Sequence, residues 1–187
     1  MKFNHKGYSL MRTSLRPLRP LRLNLNIFLL AVVVALTGCA YHLGTSVPAE
    51  VRNVYVPSVI NKSGEPGVDK VATASLQREI QREGSFTLSR KSSATSRLNV
   101  TVTDVTMDAI SFMNEDPLTP SEYRLYITAS VLLTDRRTDA ILYKGEVRGE
   151  TKLAATQDFV SAKLAQLPAL CDDLALRIVD ACASTFW

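Results

Sequence analysis

The sequence predicts an α+β domain, in which two helices cover one face of a mostly antiparallel sheet of four to five strands. Alternating apolar residues mark several strands, one amphipathic helix follows the first strand, and a longer helical segment ends the chain. The predicted order is β-α-β-β-β-β-α. Such elements bury their apolar sides against one another, so we expect a two-layer sandwich.

A leader typical of a bacterial lipoprotein precedes this domain. Residues 1–26 carry six basic side chains and no acidic one, and Ile27 to Leu36 form a ten-residue apolar run. This run suits a secretory signal, because a helix that spans a bilayer needs about 20 apolar residues. It ends in the lipobox Leu36-Thr37-Gly38-Cys39. We therefore expect cleavage before Cys39, which would carry a covalent diacylglycerol and an N-acyl chain. The alternative is an ordinary signal peptide with a chance cysteine.

Removing the leader changes the charge of the chain. The full sequence has a net charge of +4 and a pI of about 9.0, whereas the chain from Cys39 onward has 16 basic and 18 acidic residues. The basic balance belongs to the signal, so we expect no nucleic-acid partner. We divide the chain into a signal peptide (1–38), a lipidated tether (39–50) and a single domain (51–187).

The domain is predicted to begin with a short strand and a helix. Asn53 to Val59 alternates apolar and polar residues, and Pro57 within it predicts an edge position or an early end. From Val68 to Glu83 the apolar and small residues recur on one helical face, and Gly84 is the expected C-terminal cap. Phe86 to Ser89 is predicted to form a short strand.

Three longer strands are predicted next. Residues 98–102 and 105–109 carry apolar side chains on opposite parities, and a β-bulge near Thr103-Asp104 would keep both on one face. Residues 123–133 alternate strictly, and 141–147 form the returning strand after a turn.

The chain is predicted to end in two helical segments. They begin near Phe159, and Pro168 between them predicts a kink or a break. Cys171 and Cys182 lie about 16 Å apart along a helix, which is too far for a disulfide. We expect two buried thiols, with an intermolecular or distorted bridge as the alternative.

Motifs for catalysis or metal binding are missing from the sequence. His42 is the one histidine after the leader, and no H-E-x-x-H, C-x-x-C, G-x-S-x-G or glycine-rich phosphate loop is present. The acidic pairs Asp172-Asp173 and Glu115-Asp116 are expected to be solvated. We therefore expect neither an enzyme nor a metal site, and no cofactor beyond the lipid on Cys39.

Several short segments resemble the LptE family of lipopolysaccharide-assembly lipoproteins. The run Gly38-Cys39-Ala40-Tyr41-His42-Leu43 is similar to the segment that opens the mature protein in that family. Leu76 to Ile80 and Glu122 to Leu125 resemble its helix and its long strand, and the likeness extends over residues 39–183. It implies a two-layer domain inside the β-barrel of an LptD-like protein, where it helps the barrel to assemble and helps to deliver lipopolysaccharide. Ala40 after the lipidated cysteine, by resemblance to enterobacterial sorting, implies the periplasmic face of the outer membrane.

Basic residues are the candidates for contacts with an anionic lipid. The family is held to use basic residues near one end of the sheet, but the loop Asn114 to Pro120 has two acids and no base. Arg124, Arg148 and Lys152 are expected to gather at the same end of two antiparallel strands, where they would attract phosphate groups. The alternative is a set of surface ion pairs. If Leu133 pairs with Ile141, Arg124 lies opposite Glu150.

Three functional hypotheses follow from these observations. The first is a non-enzymatic lipoprotein that plugs the translocon barrel, whose polar lumen the strand face of Arg124, Thr128, Ser130 and Lys144 would complement. The second is a lipoprotein adaptor or activator of another envelope machine, such as a cell-wall synthase. The third is a periplasmic hydrolase on a lipid tether.

Overall fold

The computed structural model describes residues 47–186 apart from 115, 117, 156 and 157. The predicted signal peptide, the lipobox with Cys39, and most of the tether lie outside the described residues, so these assignments stay predictions. The described part of the chain contains six strands and two helices. They are β1 (Asn53–Tyr55), β2 (Ile60–Asn61), α1 (Val68–Glu83), β3 (Thr87–Leu88), β4 (Ser96–Phe112), β5 (Pro120–Asp135), β6 (Ile141–Ala154) and α2 (Phe159–Ser184).

The six strands form one mixed sheet in the order β3-β1-β4-β5-β6, and β2 also pairs with β4. The long strands β4, β5 and β6 are antiparallel, whereas β1 is parallel to both β3 and β4, and β2 is parallel to β4. The predicted α+β class is confirmed. The predicted count of four to five strands is too low, and the sheet is mixed. The parallel pair arises because α1 carries the chain back before β3 begins, as in any β-α-β crossover.

The first predicted strand is interrupted where proline was expected to interrupt it. β1 ends at Tyr55 and β2 begins at Ile60, with Pro57 between them. Pro57 has no backbone N–H to donate to a neighbouring strand, and the Val59 N–H donates instead to Thr73 Oγ1 at 2.9 Å. The predicted strand therefore ends early, at Tyr55, and β2 is an additional short strand that begins just beyond the predicted segment Asn53 to Val59.

The predicted bulge in β4 is confirmed. The register between β4 and β5 shifts between Val102 and Asp104, so Thr103 is the extra residue. The bulge places Val105 and Met107 on the same face as Val102, opposite Ile127 and Leu125 of β5.

The helix α1 buries the face that its periodicity predicts. Its buried residues are Val68, Ala72, Ser75, Leu76 and Ile80. Gly84 ends the helix with φ 81°, and its N–H donates to the Ile80 carbonyl at 3.4 Å. A residue with a side chain would be strained at this φ, which explains the glycine cap.

The helix α2 is continuous, so the two predicted segments form one helix and Pro168 does not break it. Pro168 lies inside Phe159–Ser184 on the exposed side of the helix. The carbonyl of Leu164, which loses its donor, lies at a residue that is itself 48% exposed, so water can satisfy it. At the other end the Asp158 carboxylate accepts the Ser161 N–H at 3.2 Å. None of the helices in the described ranges is long and apolar enough to cross a membrane.

The helix α2 crosses β6 at Gly149. A Cβ at this position would lie 2.7 Å from the backbone nitrogen of Leu174 and 2.8 Å from its Cα. One residue along, the Glu150 N–H donates to Asp173 Oδ2 at 2.7 Å, so a helix side chain covers an outward-facing donor of this edge strand. The absence of a side chain at Gly149 therefore sets how closely the helix packs on the sheet.

The substitution Gly149→Ala tests this close approach. We expect it to lower the free energy of unfolding by about 1–3 kcal/mol, because the new methyl group meets helix backbone that cannot move without repacking. Gly145→Ala is the matched control on the same strand, since its Cβ would meet only the movable ring and hydroxyl of Tyr143. Urea unfolding of the mature protein measures both, and equal stability of the two variants would contradict the account.

Burial makes the two described cysteines unreactive. Cys171 and Cys182 are free and buried, as the spacing predicts, and burial raises the pKa of each thiol to about 12. At pH 8 roughly one thiol in ten thousand would be ionised, and the thiolate is the nucleophile. We expect neither residue to be alkylated by iodoacetamide at pH 8 in the native protein, and both to react in urea. Peptide mass spectrometry checks this, and a native adduct at either residue would refute it.

Candidate functional site on the outer face of the sheet

No element in the described ranges covers the face of the sheet that points away from the helices, and this face is polar. We call it the outer face, and it comprises the side chains on the parity of Arg124 in β5 together with their partners in β4 and β6. It carries five basic and five acidic side chains. These are Arg97, Arg124, Lys144, Arg148, Lys152, Asp104, Asp108, Glu122, Glu146 and Glu150. The outer face is therefore charged but has no net charge.

Two of the three candidate lipid contacts are engaged in ion pairs. Arg124 Nη1 lies 3.7 Å from Glu150 Oε2, and Lys152 Nζ lies 3.5 Å from Glu122 Oε1. All four side chains are at least one third exposed, so each pair contributes at most about 1 kcal/mol to stability. Their main effect is to neutralise the positive charge that a phosphate group would need.

The third candidate, Arg148, stacks on an aromatic ring. Its guanidinium carbon lies 3.6 Å from the centroid of the Tyr126 ring, which is a cation–π geometry. Arg148 pairs with Thr128, whereas Lys152 pairs with Arg124. The three basic residues thus share the outer face but extend over five positions of β6, with Glu150 between them.

The register between β5 and β6 differs from the pairing of Leu133 with Ile141 considered above. Leu133 pairs with Tyr143, and Ile141 pairs with Thr134 after a register shift. Arg124 therefore lies opposite Lys152 and reaches Glu150 diagonally, and the ion pair forms with a different alignment of the strands. The turn itself is stabilised by Asp135, whose carboxylate accepts the Arg137 N–H at 2.7 Å, a hydrogen bond that lowers the pKa of this carboxyl.

The remaining residues proposed for the plug surface lie where the sequence placed them. Thr128 and Ser130 of β5 share the outer face with Arg124, and Lys144 of β6 joins them opposite Leu132. The alternation along β5 predicted this correctly, because a strand with one buried face must expose the other.

The far end of the β4–β5 hairpin exposes apolar side chains that the sequence reading did not single out. Exposed fractions are 37% for Met107, 36% for Ile110, 49% for Phe112, 47% for Met113 and 87% for Leu118. Asp116 lies beside them, and hydrogen bonds from Thr119 and Leu118 lower the pKa of its carboxyl. The sequence does contain a signal for this exposed apolar surface, because apolar residues near the loop occupy both odd and even positions. A strand with one buried face needs apolar residues at alternate positions only.

Within the described ranges no three His, Cys, Asp or Glu side chains are placed to hold a metal ion. What the outer face offers is an elongated, charge-balanced surface on three strands of 14 to 17 residues.

Comparison with protein families identifies the chain. A family model described as LptE, lipopolysaccharide-assembly, matches residues 51–181. The chain belongs to the LptE family. This is a family of non-enzymatic lipoproteins, so the protein is a lipoprotein of the lipopolysaccharide-assembly type.

The chain is similar to several solved structures of low sequence identity. A hypothetical protein from Chlamydia trachomatis is 10% identical with a TM-score of 0.52, over 71% of this chain and 96% of that one. A minor lipoprotein from Acinetobacter baumannii is 13% identical with a TM-score of 0.47, over 72% and 94%. An uncharacterized lipoprotein B from Nitrosomonas europaea is 18% identical with a TM-score of 0.45, over 80% and 88%. No curated protein matches the chain.

The ion pairs on the outer face lead to a prediction about lipid binding. We expect the triple variant Arg124→Gln, Arg148→Gln, Lys152→Gln to bind lipopolysaccharide within about twofold of the wild type, because Arg124 and Lys152 are already paired with carboxylates and Arg148 is stacked on Tyr126.

Binding of the lipidated protein to labelled lipopolysaccharide measures this effect. The control variant Lys62→Gln, Lys70→Gln, Lys91→Gln removes the same charge from exposed residues outside the outer face. A tenfold loss confined to the first variant would instead establish these residues as the lipid contacts.

Proposed function

We propose that this protein is an outer-membrane lipoprotein that plugs the lipopolysaccharide translocon barrel. In this role it assists assembly of an LptD-like barrel and helps to deliver lipopolysaccharide to the cell surface, without catalysing a reaction. The match of the LptE family model to residues 51–181 carries this proposal. The physical properties of the described residues support it in three ways.

The first support is the length of the sheet. β5 has 16 residues, and at about 3.4 Å per residue it extends over about 50 Å. The apolar band of an outer-membrane barrel is about 25 Å tall. A sheet of this length can extend through such a lumen and still present its ends on both sides.

The second support is the polarity of the outer face. The lumen of a large barrel is polar and hydrated, so a plug needs a surface that is stable in contact with water. Ten charged side chains of balanced sign meet this requirement. Balanced charge also fixes orientation, because like charges placed opposite each other are repelled.

The third support is the position at which the anchored segment enters the domain. Arg52 donates from Nη2 to the Val47 carbonyl at 3.0 Å, and Ser96 Oγ donates to the Val51 carbonyl at 2.8 Å. The chain therefore enters beside the first residue of β4, whereas the β4–β5 loop lies at the opposite end of the strand. A lipid on Cys39 would lie within about 28 Å of Val47, the reach of eight extended residues. The β4–β5 loop, at the other end of β4, is therefore the end of this strand farther from the point where the anchored segment enters the domain.

Recovery of the partner tests this function. The lipidated protein, purified from membranes in mild detergent, is expected to retain a large β-barrel protein, and depletion of the lipoprotein is expected to reduce that barrel in the outer membrane at least severalfold. Ser130→Trp, which adds bulk in the middle of the outer face, is expected to reduce recovery about tenfold by steric exclusion from a close-packed interface.

The control is Ser92→Trp, on an exposed loop outside the outer face. Recovery of a cell-wall synthase in place of a barrel would support the adaptor hypothesis. An unchanged barrel level after depletion would exclude the proposed function.

A further inference from the structure

Half of strand β4 has a neighbour on only one side among the described residues. The parallel strand β2 pairs with Thr101 and Val102, and the Lys62 N–H donates to the Val102 carbonyl at 2.8 Å. From Thr103 to Phe112 the pairing partner is β5 alone. We call the side of Thr103–Phe112 that faces away from β5 the distal edge of β4. In the described part of the chain no strand pairs with it, over ten residues or about 33 Å.

The other long edge of the sheet is protected in ways that the distal edge is not. On β6 the Asp173 carboxylate accepts the Glu150 N–H, and the backbone of α2 lies against Gly149. Long charged side chains, Lys144, Glu146 and Arg148, line the rest of that strand. Such coverage is how proteins keep an edge strand from pairing with another chain.

The distal edge combines unpaired backbone with exposed apolar side chains. Met107 is 37% exposed and Ile110 is 36% exposed, although Met107 points to the helix side of the sheet. Between the register irregularities at Thr103 and Ile110, alternate residues turn their N–H and C=O groups away from β5, so Asp104–Ala109 presents a short row of donors and acceptors. An extended chain placed there would complete the hydrogen bonds and cover the apolar face.

The charge of the distal edge selects its occupant. Asp104 and Asp108 lie exposed on the outer face, and Thr106 lies between them on the same face. A second copy of the chain, paired antiparallel about Thr106, would place Asp104 against Asp108 twice, which is unfavourable. An incoming strand with lysine or arginine at alternate positions would place opposite charges there.

We propose that the distal edge of β4 is a strand-addition site for an extended segment of a protein partner, with basic side chains on one face and apolar side chains on the other. Backbone hydrogen bonds supply the binding, and the alternate side chains supply the specificity, as in other cases of strand addition. This site goes beyond the proposed function, because it does not depend on the partner being the translocon barrel.

Hydrogen exchange tests the site without any substitution. The full-length lipidated protein is compared, in one detergent, alone and in the complex released from membranes. The peptide covering residues 103–113 is expected to exchange at least tenfold more slowly in the complex. Peptides of α1 (68–83), which lie away from this edge, should exchange equally in both samples. Unchanged exchange of 103–113, or failure to retain any protein partner, overturns the proposal.

Charge reversal tests the sign of the partner. Asp104→Lys with Asp108→Lys is expected to reduce the retained partner at least tenfold, while the control Glu50→Lys with Asp180→Lys, which makes the same charge change on exposed residues elsewhere, retains it. Equal retention by both variants overturns the basic partner strand, provided that both unfold in urea as the wild type does. Protection of 103–113 by a second copy of the chain, or by added lipopolysaccharide alone, also overturns it.

These outcomes separate the site from the function proposed above. Recovery of a barrel with unchanged exchange at 103–113 would refute the site and leave the barrel function standing. Protection of the segment by a partner that is not a barrel would do the reverse.

Discussion

The strict alternation of side chains along β5 is the constraint on which the rest of the structure depends. Its inward row is almost completely buried, with no member more than 1% exposed: Leu125, Ile127, Ala129, Val131 and Leu133. A register slip of one residue would expose this row and bury Arg124 and Thr128. Exposing the four larger side chains would cost about 6–12 kcal/mol, comparable to the whole stability of a typical domain. The polar outer face is thus a necessary consequence of the core.

The exposed apolar end of β4 arises because this strand is longer than the helix α1. β4 has 17 residues and extends over about 55 Å, whereas α1 has 16 residues and extends over about 24 Å, because a helix rises less than half as much per residue. The bulge at Thr103 keeps Val105 and Met107 on the helix side, but the cover thins there. α2 begins at Phe159, whose ring packs edge-on against Tyr123 with centroids 5.5 Å apart. Beyond this contact β4 has an apolar face and little to bury it against.

Local periodicity explains which parts of the fold the sequence could predict. The buried face of α1, its glycine cap, the bulge in β4 and the alternation of β5 all depend on residues close in the chain, and all are confirmed. The parallel pairing of β1, the sixth strand and the alignment of Leu133 with Tyr143 depend on partners distant in sequence, which periodicity does not specify. The helix continues through Pro168 because this side of the helix is exposed to water, and tertiary packing decides which side is exposed.

The same distinction applies to the candidate site. The sequence placed Arg124, Thr128, Ser130 and Lys144 on one face, because parity along a strand is a local property. It could not decide between a phosphate site and ion pairs, because that choice depends on how side chains of β5 and β6 meet. The cation–π contact of Arg148 with Tyr126 and the unpaired edge of β4 likewise became visible only once the strands were assembled.

The two surfaces left uncovered by this core suit different kinds of contact. The outer face has balanced charge, so it can meet a polar, hydrated wall over a large area, with orientation set by charge and little affinity gained from any one ion pair. The distal edge of β4 has unpaired backbone groups, apolar side chains and two aspartates, so it can bind one extended segment tightly and in one register. In the proposed function, which involves no catalysis, the outer face would provide a broad contact that tolerates water and the distal edge a narrow one that excludes it. The length of β4 beyond its helices provides the second without weakening the core on which the first depends.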